Sequence, residues 1–329
     1  MSSTLVPNKM RRGPLLVIPA LLLAGISASP LPVTKVVTQA VQAAVIEQPP
    51  IPALERKVRL PVVAASPAAP CIVLGAQTTQ PLVALTFDLD MTPEMAAAAR
   101  AGFKWINSDG TNYLESMNVH ATLFMTGMWA EVYPVEARRL AANPNFEIGN
   151  HSYSHPAFHS PCYRLASVSP AGQASQVQRA QDAIERVTGL TPKYFRFPGG
   201  CYDRSALDTV HAAGLVPVQW NVNSIDAFNA YPQQIAATVL AEVKPGSIVM
   251  MHLVRGNAPA SAAALRLIIP ALQRRGYEFV TVSELLAAGP AIQPTDPREV
   301  VESAPTRSLP APHWCGWVTG TKGWVYVCR

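Results

Sequence analysis

Between residues 81 and 289, segments of strand length alternate with stretches of helical periodicity, and this alternation constrains the fold more than any other feature. Most of the strand segments are apolar on both faces, which is typical of strands that are covered on both sides in a parallel sheet. The predicted strands lie at residues 82–87, 121–125, 147–150, 194–197, 215–222, 247–251 and 277–280. About seven strand–helix units predict an α/β fold and favour a barrel, with an open sheet as the alternative.

The chain before this region has a different composition. Basic residues precede an apolar run at 14–26 that is followed by small residues, which is the layout of a secretory signal peptide. Pro30 disfavours cleavage at that point, so residues 1–30 are expected to be a signal peptide or a membrane anchor. Residues 31–80 are rich in Pro, Ala and Val and are expected to form a linker. Either N-terminal alternative predicts an exported protein, periplasmic, extracellular or anchored at the membrane.

The chain after residue 289 is Pro-rich and ends in a Trp-rich segment bracketed by two cysteines, so residues 290–329 are expected to form a tail with a hairpin. Sugar rings could stack on its aromatic residues, but short Cys-bracketed segments are usually structural. The five cysteines of an exported chain suggest disulfides with one thiol left over. We expect Cys162 to pair with Cys201 and Cys315 with Cys328, which leaves Cys71 unpaired.

The charge of the chain gives little indication of a macromolecular partner. The net charge is +5 for 329 residues and lies mainly outside residues 81–289. The sequence also lacks a Gly-rich phosphate loop and a basic–aromatic repeat, so nucleic acid is not an expected partner. The oligomeric state is not predicted.

Polar residues recur where the predicted strands end. Asp88, His151, Arg196, Asn223 and His252 each lie at or directly after the carboxyl end of a strand segment. In barrel enzymes the carboxyl ends of the strands form the catalytic face. The sequence therefore predicts one site that is built from residues far apart in the chain.

Asp90, His151 and His155 are the candidate metal ligands. Two histidines four residues apart and a carboxylate are a common catalytic set for a divalent metal, with Zn²⁺ preferred by ligand type and Co²⁺ also compatible. A solvated helix face would explain the histidine pair alone equally well. Asp88, two residues before Asp90, is the candidate base, although turn and cap chemistry explains many Asp residues after strands.

Two further residues extend this candidate site. Arg196 precedes a Pro-Gly-Gly sequence, so its guanidinium could orient Asp88 while Gly200 lets backbone N–H groups approach a substrate. His252 could be the general acid for the leaving group. A structural arginine in a turn and a buried histidine bonded to backbone are the alternatives.

These motifs, in this order, resemble the polysaccharide deacetylase family, carbohydrate esterase family four, with its NodB-homology domain. The resemblance covers residues 81–289 and is carried by residues 83–88, 121–127, 147–155, 196–200 and 250–252. It implies a distorted (β/α) barrel. By position it also implies the following roles: Asp88 as base, Arg196 as the residue that orients it, His151 and His155 as metal ligands, a backbone N–H near Tyr202 beside Gly200 as oxyanion donor, and His252 as acid.

The sequence departs from the family pattern at two motifs. The family usually has two adjacent Asp residues, whereas here Asp90 comes one position later. In the fourth motif Asn223 and Ala227 replace an Asp and a Trp. A neutral Asn cannot raise the pKa of His252, so Asp226 would have to substitute or the pH optimum would shift. Loss of the Trp predicts an acetyl pocket that is either wider or filled by Phe228.

The sequence thus predicts an exported, metal-dependent hydrolase that removes N-acetyl or O-acetyl groups from a polysaccharide. Cell-wall glycan, such as peptidoglycan or chitin-like oligomers, is the expected substrate because the N-terminus would place the domain at the wall. The altered fourth motif supports one alternative, a carbohydrate-binding pseudoenzyme. A second alternative is a metal-dependent amidase that acts on a small non-sugar amide.

Overall fold

The computed structural model of the protein describes residues 72–294, 315–320 and 323–328. The predicted signal peptide or anchor, Cys71 and the linker before it lie outside the described residues. Within the described ranges, none of the helices combines the length and the apolar character that a membrane crossing requires.

Ten of the described strands form one mixed sheet, and two more form a separate hairpin. The sheet strands are β1 (Gly75–Ala76), β2 (Leu82–Leu89), β3 (Ala121–Met125), β4 (Phe146–Asn150), β5 (Tyr194–Phe195), β6 (Val216–Pro217), β7 (Val222–Asn223), β8 (Ser247–His252), β9 (Glu278–Phe279) and β10 (Ala291–Ile292). The hairpin consists of β11 (Cys315–Gly320) and β12 (Gly323–Cys328). The described helices are α1 (Pro93–Arg100), α2 (Ser108–Ser116), α3 (Gly127–Val132), α4 (Pro134–Ala142), α5 (Pro170–Thr188), α6 (Arg204–Ala212), α7 (Pro232–Glu242), α8 (Ser261–Arg274) and α9 (Val282–Ala288).

The sheet is built around parallel strands and curls towards closure. Strands β8, β2, β3, β4, β5 and β6 lie side by side and parallel, while β7 pairs with β8 and β9 with β2. At one edge, β1 pairs antiparallel with β8 and with β10. A bridge between Val73 and Val218 then joins the segment before β1 to the segment after β6. This architecture confirms the predicted distorted α/β barrel.

Burial explains why β2 lies at the centre of the sheet. All eight of its residues are buried, and its apolar side chains contribute to the core on both faces. The hydroxyl of Thr86, a polar residue within the strand, donates a hydrogen bond of 2.7 Å to the carbonyl of Val249. Because every buried polar group on this strand needs a partner, the Asp88 carboxylate at its far end must be held by other side chains.

Two continuous sequence patterns are divided in the structure. The helical periodicity at residues 130–142 forms part of α3 and all of α4, and the helix breaks at Tyr133 because Pro134 has no N–H to continue the ladder and favours a first helical position. The predicted strand at 215–222 is interrupted, since β6 pairs with β5 and β7 crosses to pair with β8.

The folded region is longer at both ends than the sequence predicted. Residues 72–80, predicted as the end of the linker, include β1 and the buried residues Ile72 and Val73. Residues 291–292, predicted as part of the tail, form β10 and pair with β1. Both strands are only two residues long, so neither has a period that a sequence pattern could reveal.

The cysteine predictions have different outcomes. Cys162 and Cys201 form the predicted disulfide, with Cα atoms 5.9 Å apart. The predicted C-terminal hairpin is present, and Cys315 and Cys328 are register partners on its two strands. A disulfide between that second pair remains a prediction, as does the unpaired state of Cys71.

Candidate active site

The structure brings the predicted polar residues to one end of the sheet. Asp88 and His252 are register partners on the adjacent parallel strands β2 and β8. His151 and Arg196 directly follow the ends of β4 and β5, and Asn223 ends β7. Parallel strands that run in the same direction must place their carboxyl ends at the same rim, so the fold itself assembles this cluster.

Asp90, His151 and His155 form a buried group whose ligand atoms all lie within 4.8 Å of one another. Oδ1 of Asp90 is 3.4 Å from Nε2 of His151 and 3.4 Å from Nε2 of His155. Among the described residues, Oδ1 of Asp90 and Nε2 of His151 have no hydrogen-bond partner. Buried polar atoms are normally paired, so two unpaired atoms that face each other fit a bound cation. One carboxylate and two imidazoles are a donor set suited to Zn²⁺ or Co²⁺.

The two histidines are held by a tight loop, and not by a helix. His151 follows β4, and its Nδ1 donates to the carbonyl of Arg196 at 2.8 Å, so Nε2 keeps the lone pair that a metal needs. Ser152 and His155 both have left-handed backbones, with φ of 65° and 61°. The Ser152 hydroxyl accepts the His155 N–H at 3.1 Å, and the Asn150 side chain accepts the Ser152 N–H at 2.9 Å.

The protonation states of this group also suit a metal. Burial lowers the pKa of His155 to about 4, against the opposing charge of Asp90, so the ring is neutral at pH 7. Burial by itself would raise the pKa of Asp90, but the neighbouring His155, His151 and His252 outweigh it and hold the pKa well below its usual range. Neutral imidazole and ionised carboxylate are the forms that bind metals.

Asp88 is oriented by a fully buried arginine. Nη1 of Arg196 donates to Oδ1 of Asp88 at 2.9 Å, while its Nε and Nη2 donate to the carbonyls of Val218 and Gln219 at 3.3 and 3.1 Å. The guanidinium is thus fixed by three contacts, and it fixes one oxygen of the carboxylate. The other oxygen, Oδ2, lies 3.6 Å from Nε2 of His151, beside the candidate metal position.

His252 is paired with Asp226. Oδ1 of Asp226 accepts from Nδ1 of His252 at 2.8 Å, and Oδ2 accepts the His252 backbone N–H at 2.7 Å and the Ser261 hydroxyl at 2.6 Å. Burial alone would lower the pKa of His252, but the charge and hydrogen bond of Asp226 raise it to about 10. The ring is therefore protonated at neutral pH, and its Nε2 lies 4.0 Å from Oδ2 of Asp90.

The departure in the fourth motif has a structural explanation. Asn223 accepts the backbone N–H of Ile225 at 2.9 Å and so stabilises a turn. Asp226, three residues later, is the carboxylate that reaches His252, as the sequence allowed. Phe228 is 65% exposed, so it does not fill a buried pocket in place of the missing Trp.

The region around Tyr202 is held in a tight turn. Gly200 has φ of 73°, and a Cβ there would lie 2.7 Å from the Trp220 ring, so both backbone and space require glycine. The Tyr202 ring is buried and stacks on Phe197, with ring centroids 4.8 Å apart. Among the described residues, none accepts a hydrogen bond from the Tyr202 backbone N–H. Its predicted role as an oxyanion donor stays a prediction.

Sequence reasoning missed two polar residues that contact this cluster. Asn257 donates to Asp90, and Ser261 donates to Asp226. Both lie within ten residues after His252, the last residue of β8. Their closeness to this strand end was the available signal that they could contact the candidate site. Their partners are 167 and 35 residues away in sequence, so no local pattern could assign them.

Comparisons with known proteins place the chain in a family. A family model described as Polysaccharide deacetylase matches residues 75–218. The chain is 32% identical over 208 residues to a peptidoglycan-N-acetylglucosamine deacetylase of Bacillus cereus. The aligned region covers 62% of this chain and 67% of that protein.

Solved structures show the same fold. A family 4 acetyl xylan esterase from Clostridium thermocellum, in complex with cobalt, superposes with a TM-score of 0.52 and 30% identity over 67% of this chain and 96% of that one. A mutant CE4 family pseudoenzyme with restored activity, whose wild type comes from Bacillus anthracis, gives a TM-score of 0.56 and 25% identity over 67% of this chain and 73% of that one. The chain belongs to the polysaccharide deacetylase family, carbohydrate esterase family four.

Proposed function

We propose that this polysaccharide deacetylase is metal-dependent and removes N-acetyl groups from a cell-wall glycan. The observation that carries the proposal is the buried group of Asp90, His151 and His155, with two unpaired atoms facing each other, beside Asp88 and a protonated His252. A divalent metal held by these three residues, Zn²⁺ or Co²⁺ by donor type, would polarise the acetyl carbonyl and lower the pKa of a water molecule.

The base of this mechanism is Asp88. Arg196 holds Oδ1, so Oδ2 is the oxygen that can take a proton from the attacking water. Because the arginine is buried and bonded to two backbone carbonyls, the carboxylate cannot rotate without breaking a charged hydrogen bond. Such a fixed base supplies a positioned proton acceptor, which typically contributes about 10²–10⁴ in rate.

The acid of the mechanism is His252. Asp226 accepts a hydrogen bond from the Nδ1–H of His252 and keeps the ring protonated, so Nε2 carries the proton that the leaving amine needs. The Tyr202 backbone N–H is the proposed donor to the carbonyl oxygen as negative charge develops there. Cleavage of the amide then yields acetate and a free amine on the sugar.

A glycan substrate is supported by the relatives, since one acts on N-acetylglucosamine in peptidoglycan and another is an acetyl xylan esterase. The predicted export signal would place the enzyme at the cell wall. O-acetyl removal is the related activity that the same site could perform. For a small non-sugar amide, no described feature offers specific support.

The pseudoenzyme alternative loses its main support in the structure. It rested on the altered fourth motif, where Asn223 and Ala227 replace an Asp and a Trp. Asn223 cannot raise the pKa of His252, but Asp226 supplies a carboxylate 2.8 Å from the ring. The candidate metal group also retains its carboxylate and both imidazoles.

The test is acetate release by the full chain from N-acetylated peptidoglycan and chitin oligomers, after metal removal and after addition of Zn²⁺ or Co²⁺. Release should require metal and should be lost in His151→Ala. His120→Ala is the matched control, because His120 pairs with Glu284 at the surface, away from the site. Glycan binding without acetate release at any metal concentration would instead establish a binding protein.

A further inference from the structure

Asn257 contacts the candidate metal group from outside it. Its Nδ2 donates to Oδ2 of Asp90 at 2.5 Å, so the amide binds the carboxylate oxygen other than the one nearest His151 and His155. Oδ1 of Asn257 is buried and has no hydrogen-bond partner among the described residues. An unpaired buried acceptor costs free energy. The charge-assisted bond from Nδ2 to Asp90 offsets that cost and therefore sets the orientation of the amide.

The backbone of Asn257 is fixed as well. Its carbonyl accepts the N–H of Phe228 at 2.5 Å, which ties the loop after β8 to the loop that carries Asp226. The next residue, Ala258, donates its N–H to Val254 at 3.0 Å and closes a turn within the loop. The amide donor is therefore presented to Asp90 from a rigid position.

We propose that Asn257 is a positioning residue for the metal site. By binding Oδ2 it directs Oδ1 of Asp90 towards His151 and His155, and it makes the carboxylate a one-oxygen ligand. This inference rests on the proposed metal dependence, but it concerns affinity for the metal and not the hydrolysis step.

Asn257 binds the oxygen of Asp90 that also lies near the proposed acid. Nε2 of His252 lies 4.0 Å from the same Oδ2 of Asp90. The amide of Asn257 already donates to this oxygen, so the carboxylate does not depend on the His252 ring for a hydrogen bond. Asn257 thus keeps Asp90 for the metal and leaves the His252 proton for the leaving amine.

The experiment measures Zn²⁺ and Co²⁺ dissociation constants of the full chain by equilibrium dialysis, together with the visible absorption of the Co²⁺-loaded protein. Asn257→Ala should weaken both metals about 10–100-fold, the range found when residues that orient metal ligands are removed. Its Co²⁺ spectrum should also change, because the carboxylate can then bind in other ways. Asn257→Ser keeps a shorter donor and should give an intermediate dissociation constant.

Asn229→Ala is the matched control. Asn229 lies in the neighbouring loop and its side chain accepts the N–H of Tyr231 at 2.8 Å, so its loss tests loop disturbance without touching Asp90. The metal constants of this variant should equal those of the wild type.

Two results would overturn the inference. One is Asn257→Ala with unchanged metal constants and spectrum but a lowered melting temperature, which would make the residue a loop support only. The other result applies if Asn257→Ala does not fold. In that case, a folded Asn257→Ser with wild-type dissociation constants for both metals and an identical Co²⁺ spectrum would also limit the residue to loop support. A wild type that binds metal but releases no acetate would refute the proposed function alone and leave this inference standing.

Discussion

Asp88 and Asp90 are two residues apart, yet their contacts differ, and this difference can be tested residue by residue. Asp88 is bound by Arg196, whereas Asp90 faces the two histidines. We expect Asp88→Asn to lower acetate release about 10²–10⁴-fold, because an amide cannot take the proton of the attacking water. Zn²⁺ binding, measured by dialysis, should stay near the wild-type value since Asp88 is outside the ligand group. Wild-type turnover in this variant would remove Asp88 from the mechanism.

We expect the charge of Asp226 to set the alkaline limit of the activity. The pKa of His252 is about 10, so acid catalysis should persist through pH 8 and decline as the pH rises towards 10. In Asp226→Asn the lowering effect of burial is opposed only by the charges of Asp90 and Asp88, so the decline should move down towards the ordinary pKa of about 6.5. The check is the pH profile of kcat/KM. Ser261→Ala, which removes a hydrogen bond but keeps the charge, should shift the profile much less; equal profiles for Asp226→Asn and the wild type would contradict the assignment.

The same pair also links stability to pH. The folded-state pKa of His252 lies above its unfolded value, so its stabilising contribution is complete below about pH 6.5 and is lost as the pH rises through about 10. Free energies of unfolding measured from pH 6 to 10 should fall for the wild type and fall less for Asp226→Asn. A wild-type stability that rises over this range would show that other groups dominate.

At the scale of single elements, the disulfide between Cys162 and Cys201 joins the loop after the two candidate metal-binding histidines to the turn before Tyr202. The bridge closes a loop over a separation of 39 residues, for which constraint of the unfolded chain predicts about 2–4 kcal/mol of stabilisation. The Cys162→Ser, Cys201→Ser double variant should therefore melt about 5–15 °C lower.

The double variant should also lose turnover, because the backbone N–H of Tyr202 would be held less firmly. KM should change little, since the Tyr202 region is proposed to act in the transition state. Reduction of the wild-type protein is the matched comparison and should reproduce both effects. A double variant with lower stability but full turnover would limit the disulfide to a structural role.

The elements that the sequence predicted well are those with a strong local pattern. Strand β2 is apolar at nearly every position, so its existence followed from hydrophobicity alone, and α5 and α8 lie in two of the stretches of helical periodicity. The division of residues 215–222 into β6 and β7 could not be predicted in this way, because it depends on which neighbouring strand each half reaches. For the same reason the candidate metal ligands were predicted from spacing, whereas the contact of Asn257 with Asp90 is visible only in the folded chain.

For the molecule as a whole, the closure of the sheet depends on residues that composition assigned to a linker. Val73 donates its N–H to Pro217 at 2.9 Å and accepts that of Gln219 at 2.8 Å, and Ala76 donates to Gly246 at 2.9 Å. These bonds span the gap between β8 and β6, which are the two ends of the row of parallel strands. The sequence could not reveal them, since each pairs a residue near 75 with one more than 140 positions later.

Deletion of residues 1–80 should therefore destabilise the protein, whereas deletion of residues 1–65 should not. The longer deletion removes the buried Ile72 and Val73, each worth about 1.5–3 kcal/mol, and leaves polar backbone groups of β8 without partners. Against a typical total of about 5–15 kcal/mol, that loss is large enough to leave the chain marginally folded. Thermal unfolding of both truncated chains beside the full chain is the measurement. Equal melting temperatures for the two deletions would show that the parallel strands hold the barrel together without β1. The position of Asp88, His151 and His252 at one end of the sheet would then depend on those strands alone.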